Sequence, residues 1–286
     1  MSATARVALL FGVLTAILIG FGYIVSYFVS NIYILFFMIG LNILIIGATY
    51  FLADRFVLWS YNARIVSEHE YPRLYRMVRK VSEEAKIPMP RVAIVPIETP
   101  NAFATGRNPK NAVVAVTEGI LRLLNDSELE GVISHEISHI KNRDILVMTI
   151  ASMIAATISV IARFFFWEMI FGRSDRREVN PVMLAIGILG MILVPIAAIL
   201  IQLAISRTRE YKADESGAKI IKNPNSLADA LLKLQKGVER RPLLQGNPAT
   251  SSMFIVNPFS KNALVRLLST HPPIEERVKR LREMKI

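Results

Sequence analysis

Apolar residues gather into four long runs, and polar residues into two blocks between and after them. The runs extend from about Val7 to Phe28, Tyr33 to Leu52, Ile145 to Phe166 and Pro181 to Ile205. Each reaches the ~20 residues that a helix needs to cross ~30 Å of hydrocarbon. The first run is too long for a signal peptide, lacks a small-residue cleavage site and is followed at once by a second run, which predicts an uncleaved anchor. Runs one and two are joined around Ser30–Ile32, as in a tight helical hairpin. Tyr23, Tyr27, Tyr33 and Tyr50 lie near run ends, where interfacial aromatics belong. Run three is the least regular, because Arg163 and Glu168 interrupt its end. Run four carries no charge, and Pro195 predicts a kink in it.

The two polar blocks predict folded structure. Arg91–Ile97 and Asn111–Thr117 are short and β-rich, and Asn101–Pro109 reads as a further strand followed by a Gly/Asn/Pro turn. Tyr71–Ala85 and Ser226–Lys236 have helical periodicity. With 52% hydrophobic and 20% charged residues, and a mean hydropathy of +0.40, the chain is neither an ordinary soluble domain nor a bundle of spans alone.

Charge follows the same division. The net charge is +11, and all Lys and Arg except Arg6, Arg163, Arg173, Arg176 and Arg177 lie in residues 55–144 and 206–286. Basic segments beside membrane helices favour the cytoplasmic face and its anionic lipids. The sequence has no nucleic-acid-binding motif. With no cysteine and only four histidines, metal ligands must come from His, Asp and Glu.

Residues 135–139 read His-Glu-Ile-Ser-His. Histidines at i and i+4 project from one helical face, so both imidazoles can reach one metal, and Glu136 stands beside the first of them to take a proton from water. A capping box at Ser127-Glu-Leu-Glu130 and the apolar stripe Leu129, Val132, Ile133 predict the helix independently of the motif. An open metal site of this kind needs a third protein ligand. Glu210 and Asp214 are also i and i+4: Glu210 offers that ligand, and Asp214 an acceptor that orients a ligand imidazole. The alternative for this pair is a solvated acidic face beside Arg207, Arg209 and Lys212. The histidines precede run three and Glu210 follows run four, so two crossings return the chain to one side. The site then lies within a helical turn or two of the membrane surface.

The segments SHEISHIKNRD at 134–144, PNAFATGRNP at 100–109, SRTREYKAD at 206–214 and THPP at 270–273 together resemble the HtpX family. These are membrane-bound heat-shock zinc endopeptidases, distantly related to the CAAX prenyl proteases. The resemblance covers nearly the whole chain. It implies a mainly α protein with a small β-sheet: a multi-span helical membrane protein carrying a gluzincin-like HExxH protease domain. It also implies one Zn2+ per chain on His135, His139 and Glu210, with Glu136 as the catalytic base. The division that follows is a membrane hairpin at 1–54, a first catalytic half at 55–144, a second hairpin at 145–205 and a second catalytic half at 206–286. In related proteases a histidine placed like His271 lies near the metal, where it stabilises the transition state or regulates access; the alternative is a turn residue capping or packing on a last helix, Ile274–Met284. Asn101, Ala102, Phe103 and Ala104 resemble the family's edge strand, which pairs an extended substrate by β-augmentation; the alternative is an ordinary hairpin strand. His69 matches no motif.

The implied activity is hydrolysis of misfolded or damaged membrane proteins at the cytoplasmic side of the inner membrane, with polypeptides and the bilayer as partners and no nucleic acid. The rivals are a CAAX-type prenyl protein protease, against which only four spans argue; a non-enzymatic chaperone with a structural metal, against which Glu136 argues; and a transporter, for which the spans hold too few charges. Substrate preference and oligomeric state are not legible in the sequence.

Overall fold

The computed structural model describes residues 3–154, 207–243, 253–258 and 272–286. Spans three and four beyond Ile154, the 173–180 connection and His271 lie outside the described residues. Two helices open the chain, α1 (Ala3–Val29) and α2 (Ile32–Ser60). Ser30, in the left-handed region at φ 54°, reverses the chain, and the Asn31 side chain then caps α2 by accepting from the Tyr33 amide at 3.0 Å. Among the described residues α2 has the length and apolarity to cross a bilayer, and Ala5–Gly20 within α1 is a shorter apolar stretch. Ile32, Phe36, Phe37, Ile43, Leu44 and Phe51 leave large side chains of α2 uncovered, a surface suited to hydrocarbon. Asn42 is satisfied inside the pair by Thr15, at 3.2 Å.

A further helix, α6, is described from Asp144 to Ile154. Its Val147, Met148, Ile150, Ala151 and Ile154 pack on Leu10, Leu14 and Leu18 of α1. The beginning of the third apolar run is thereby laid against the first helix.

Helix α2 does not stop where its apolar run weakens at Leu52. It continues through Asp54, which pairs with Arg91 at 3.4 Å, and brings Val57, Leu58 and the following Tyr61 onto a small sheet. That sheet comprises β1 (Arg64–Ile65), β2 (Arg91–Val95), β3 (Ala102–Thr105) and β4 (Val113–Thr117), in the order β1-β2-β4-β3. Strands β2 and β4 are parallel, and β1 and β3 flank them antiparallel, with Ala102 opposite Val116 and Thr105 opposite Val113. Both faces are covered, which accounts for apolar runs in place of strict alternation. Ala93, Val95, Phe103, Val113 and Ala115 meet α2. Val92, Ile94, Ala104, Val114 and Val116 turn to the main core. Gly106 follows β3 at φ 134°, where a Cβ would stand 2.5 Å from the Asn111 carbonyl oxygen, so the turn requires glycine.

The main core is closed by α3 (Pro72–Ala85), α4 (Glu118–Leu123), α5 (Asp126–Lys141), α7 (Arg207–Ile221), α8 (Pro224–Arg240) and α9 (Ile274–Glu283). Helix α5 lies at the centre, with Leu129, Val132, Ile133, Ile137 and Ile140 wholly buried. Its cap differs from the one expected. Asn125 and Glu128 form the capping box, while the Ser127 hydroxyl bonds Ser226 at 3.0 Å and Glu130 pairs with Lys80 at 2.6 Å. The helix therefore starts two residues before the Ser127–Glu130 reading would begin it.

Candidate metal centre

Helix spacing and one close helix–helix approach build the site. His135 and His139 are one turn apart on α5, their rings edge to face at 4.7 Å between centroids. Helix α7 crosses α5 at Gly217, where a Cβ would lie only 3.0 Å from the His135 backbone nitrogen. Glu210, Asp214 and Gly217 follow one another at i, i+4 and i+7, so the approach made at Gly217 aims both carboxylates at the histidines. The Nε2 atoms of His135 and His139 are 3.1 Å apart; Glu210 oxygens lie 3.7 Å from the first and 3.4 Å from the second. All three residues are buried, and one ligand atom from each forms a cluster that can hold a metal ion.

The donor set fits zinc. Ligands ~2.0–2.1 Å from a tetrahedral ion stand ~3.3–3.4 Å from one another, and the three separations bracket that value. The outer nitrogens are also provided for. His135 Nδ1 lies 2.9 Å from Asp214 and His139 Nδ1 lies 3.5 Å from Asp144, an arrangement that turns both Nε2 lone pairs inward. Two arginines complete the surround. Arg277 of α9, wholly buried, donates to both oxygens of Asp214 at 2.9 and 2.7 Å, and Arg209 donates to Asp144 at 3.2 Å.

Electrostatics separates the two imidazoles. Burial holds His135 down, to about 4, against the pull of Asp214. Burial works in the same direction on His139, but Asp144, Glu210 and Glu136 outweigh it and raise this residue to about 9. Metal binding takes up both neutral imidazoles, so it is coupled to release of any proton held between the two Nε2 atoms, 3.1 Å apart. Burial favours a neutral Asp214, yet Arg277 and His135 keep it below the ordinary carboxylate range. Burial lifts Glu136 to about 7 despite His139 and an amide hydrogen bond from Ala104.

Asn101, Ala102, Phe103 and Ala104 are all buried, on the outermost strand of the sheet and bound to the site through that Ala104 amide. His69 is exposed on the surface. Sequence reasoning missed Asp144, Arg209 and Arg277. For Arg277 a signal exists: it sits on the buried side of α9 beside Val278 and Leu281, where a solvated charge has no place.

Comparison with known proteins identifies the fold and its class. The family model for Peptidase family M48 matches residues 68–285, a span that contains every residue of the centre. The chain belongs to peptidase family M48. It is therefore a metalloprotease, a hydrolase of the zinc-dependent class. Curated M48 relatives named Protease HtpX homolog are 60% identical in Methanocaldococcus jannaschii, over 82% of this chain and 83% of that protein, and 53% identical in Pyrococcus furiosus, over 98% and 95%. A third, from Syntrophobacter fumaroxidans, is 47% identical over 99% of this chain and the whole of that protein. Among solved structures, S. mikatae Ste24p shares the fold at a TM-score of 0.53 and 18% identity, over 96% of this chain. The chain spans 64% of the length of that structure.

Proposed function

We propose that this M48 chain is a membrane-integrated zinc endopeptidase that cleaves misfolded or damaged membrane proteins at the cytoplasmic side of the inner membrane. The observation that carries the reading is the convergence of His135, His139 and Glu210 in one buried cluster, with a carboxylate behind each imidazole and Glu136 beside them. His135, His139 and Glu210 hold one zinc ion, favoured over manganese or cobalt by its ligand types. When bound, the ion supplies Lewis-acid polarisation of the scissile carbonyl and lowers the pKa of the attacking water toward ~7.

The remaining work falls to the chain. Asp214 and Asp144 hold the imidazoles in the tautomer that presents Nε2, and Arg277 and Arg209 hold those carboxylates in place by hydrogen bonds. Glu136 takes the proton of the attacking water and passes it to the leaving nitrogen. The substrate lies extended along Asn101, Ala102, Phe103 and Ala104, where Ala102 and Ala104 turn their backbone groups to the open edge beside Glu136. His271 donates to the developing oxyanion. The membrane hairpins 1–54 and 145–205 hold the catalytic halves 55–144 and 206–286 against the bilayer. The uncovered apolar surface of α2 supports this placement, as does the basic character of both halves. CAAX-type cleavage of prenylated proteins is the second reading, favoured by the fold shared with Ste24p.

The test is cleavage of casein and of an unfolded membrane protein by the full chain in detergent. The expected result is hydrolysis that a chelator abolishes and stoichiometric zinc restores. Cleavage confined to prenylated C-terminal peptides would select the CAAX reading, and chelator-insensitive cleavage would remove the metal mechanism.

A further inference from the structure

Thr117 donates its amide to the Asn101 carbonyl, so Asn101, Phe103 and Thr105 direct their backbone groups to β4, whereas Ala102 and Ala104 direct theirs to the open edge. That edge is not vacant. Residues 253–258 of the same chain lie on it, and the contacts are made backbone first. The Ile255 amide donates to the Ala102 carbonyl at 3.1 Å, and Arg277 Nη1 donates to the Ile255 carbonyl at 3.0 Å. The next residue is held at both ends by one side chain: Asn101 Nδ2 donates to the Val256 carbonyl at 2.7 Å, and the Val256 amide donates to Asn101 Oδ1 at 3.3 Å.

Phe254 anchors the segment by packing edge to face on Phe103 and Tyr61, at 5.2 and 5.0 Å between centroids. Its far end is tied by the Leu243 amide, which donates to the Pro258 carbonyl at 2.9 Å. The Arg277 nitrogen that grips Ile255 stands 3.8 Å from Glu210, so the segment is one side chain away from the metal ligands.

We propose that residues 253–258 are a built-in strap that occupies the substrate's backbone track, and that an unfolded polypeptide binds by displacing it. The inference rests on reading β3 as that track. Ile255 and Val256 pack their side chains in the main core, but their amides and carbonyls are all held by β3 and its neighbours, the backbone recognition by which an edge strand takes an extended chain. The strap and a substrate cannot both use the Ala102 carbonyl and the Asn101 amide group. The resting enzyme is thereby self-restrained, and affinity for substrate is reduced by the fraction of molecules in which the strap is seated.

The test uses the full-length, zinc-loaded Glu136→Gln chain in detergent, which binds without turnover, and an unstructured casein peptide carrying a benzophenone. Mapping of the cross-link locates the peptide, and hydrogen exchange reports the Ile255 and Val256 amides. The expected result is a cross-link within 101–105 together with several-fold faster exchange at 255 and 256 when peptide is bound. A cross-link within 101–105 with unchanged or slower exchange overturns the strap and leaves the β3 reading intact. Cross-links confined to other regions overturn both. In the active chain, Phe254→Ala loosens the anchor and is expected to lower KM on the order of three- to tenfold with kcat unchanged. A folded variant with raised KM or lowered kcat would instead make the segment a fixed wall of the cleft, against the proposal. Should the variant fail to fold, the exchange experiment decides alone.

Discussion

Arg277→Met isolates the charge pair on which the centre is mounted. Arg277 is 0% exposed, and its two hydrogen bonds to Asp214, at 2.9 and 2.7 Å, form the forked geometry of a strong pair. Asp214 is itself 4% exposed, so water does not replace the lost guanidinium. The substitution keeps most of the buried volume and leaves a carboxylate whose remaining partner is the His135 ring. Breaking a buried pair from one side in this way costs ~3–5 kcal/mol, a large share of the ~5–15 kcal/mol that holds a native protein together. At roughly 2–4 °C per kcal/mol for a chain of this size, the midpoint falls by about 6–20 °C. Melting is followed by circular dichroism in mild detergent with chelator present, so that metal binding adds nothing to the difference. Arg277→Met combined with Asp214→Asn removes both charges and is expected to recover at least ~2 kcal/mol of the sum of the single losses. A single variant within ~1 kcal/mol of the parent would refute the pair's role in holding the site.

Other outcomes follow from the same geometry. Glu210→Ala is expected to lose bound zinc at limiting free metal, as read by metal analysis, whereas Asp144→Asn weakens affinity by only about 10–100-fold. Gly131→Ala forces a Cβ to within 2.7 Å of the Leu227 backbone nitrogen, where α8 crosses α5, and is expected to destabilise by ~1–3 kcal/mol in thermal melts. Single cysteines at Ser67, Ser174 and Ser260 report topology in intact cells, because the chain has none of its own. An impermeant thiol reagent is expected to label position 174 alone until the cells are permeabilised, and label at 67 or 260 would put the site outside the cytoplasm.

Much of this architecture is legible in one sequence because it is local. The i, i+4 spacing of His135 and His139, and of Glu210 and Asp214, fixes which faces they share before anything is known of the fold. The strands are legible from short β-rich runs between turns, Gly106 among them. What escapes is whatever the chain brings back after a break in regular structure. Asp144 lies five residues beyond His139, which on a continuous helix is the wrong face. It returns only because α5 ends at Lys141 and Arg143 adopts φ 59° before α6 begins. Arg277 lies on the same side of α9 as Val278 and Leu281, but its partner Asp214 is evident only once α9 is packed against α7. The 253–258 segment has no periodicity, and although Met253, Phe254, Ile255 and Val256 are apolar, the backbone hydrogen bonds that lay them on β3 leave no trace in the sequence. The cap of α5 was misplaced because Ser127–Glu130 and Asn125–Glu128 both satisfy the capping pattern; the partners Ser226 and Lys80 decide between them.

The central claim is that the buried His135, His139 and Glu210 cluster is a catalytic metal site with Glu136 as its base. Zinc content and peptide turnover, measured side by side on purified Glu136→Gln and the parent chain, test it most directly. The expected result is equal zinc stoichiometry with turnover reduced by about 10²–10⁴-fold, the usual contribution of a positioned general base. A zinc-loaded Glu136→Gln chain that cleaves casein at the parental rate would contradict the claim, as would a parent chain that binds no zinc and still cleaves.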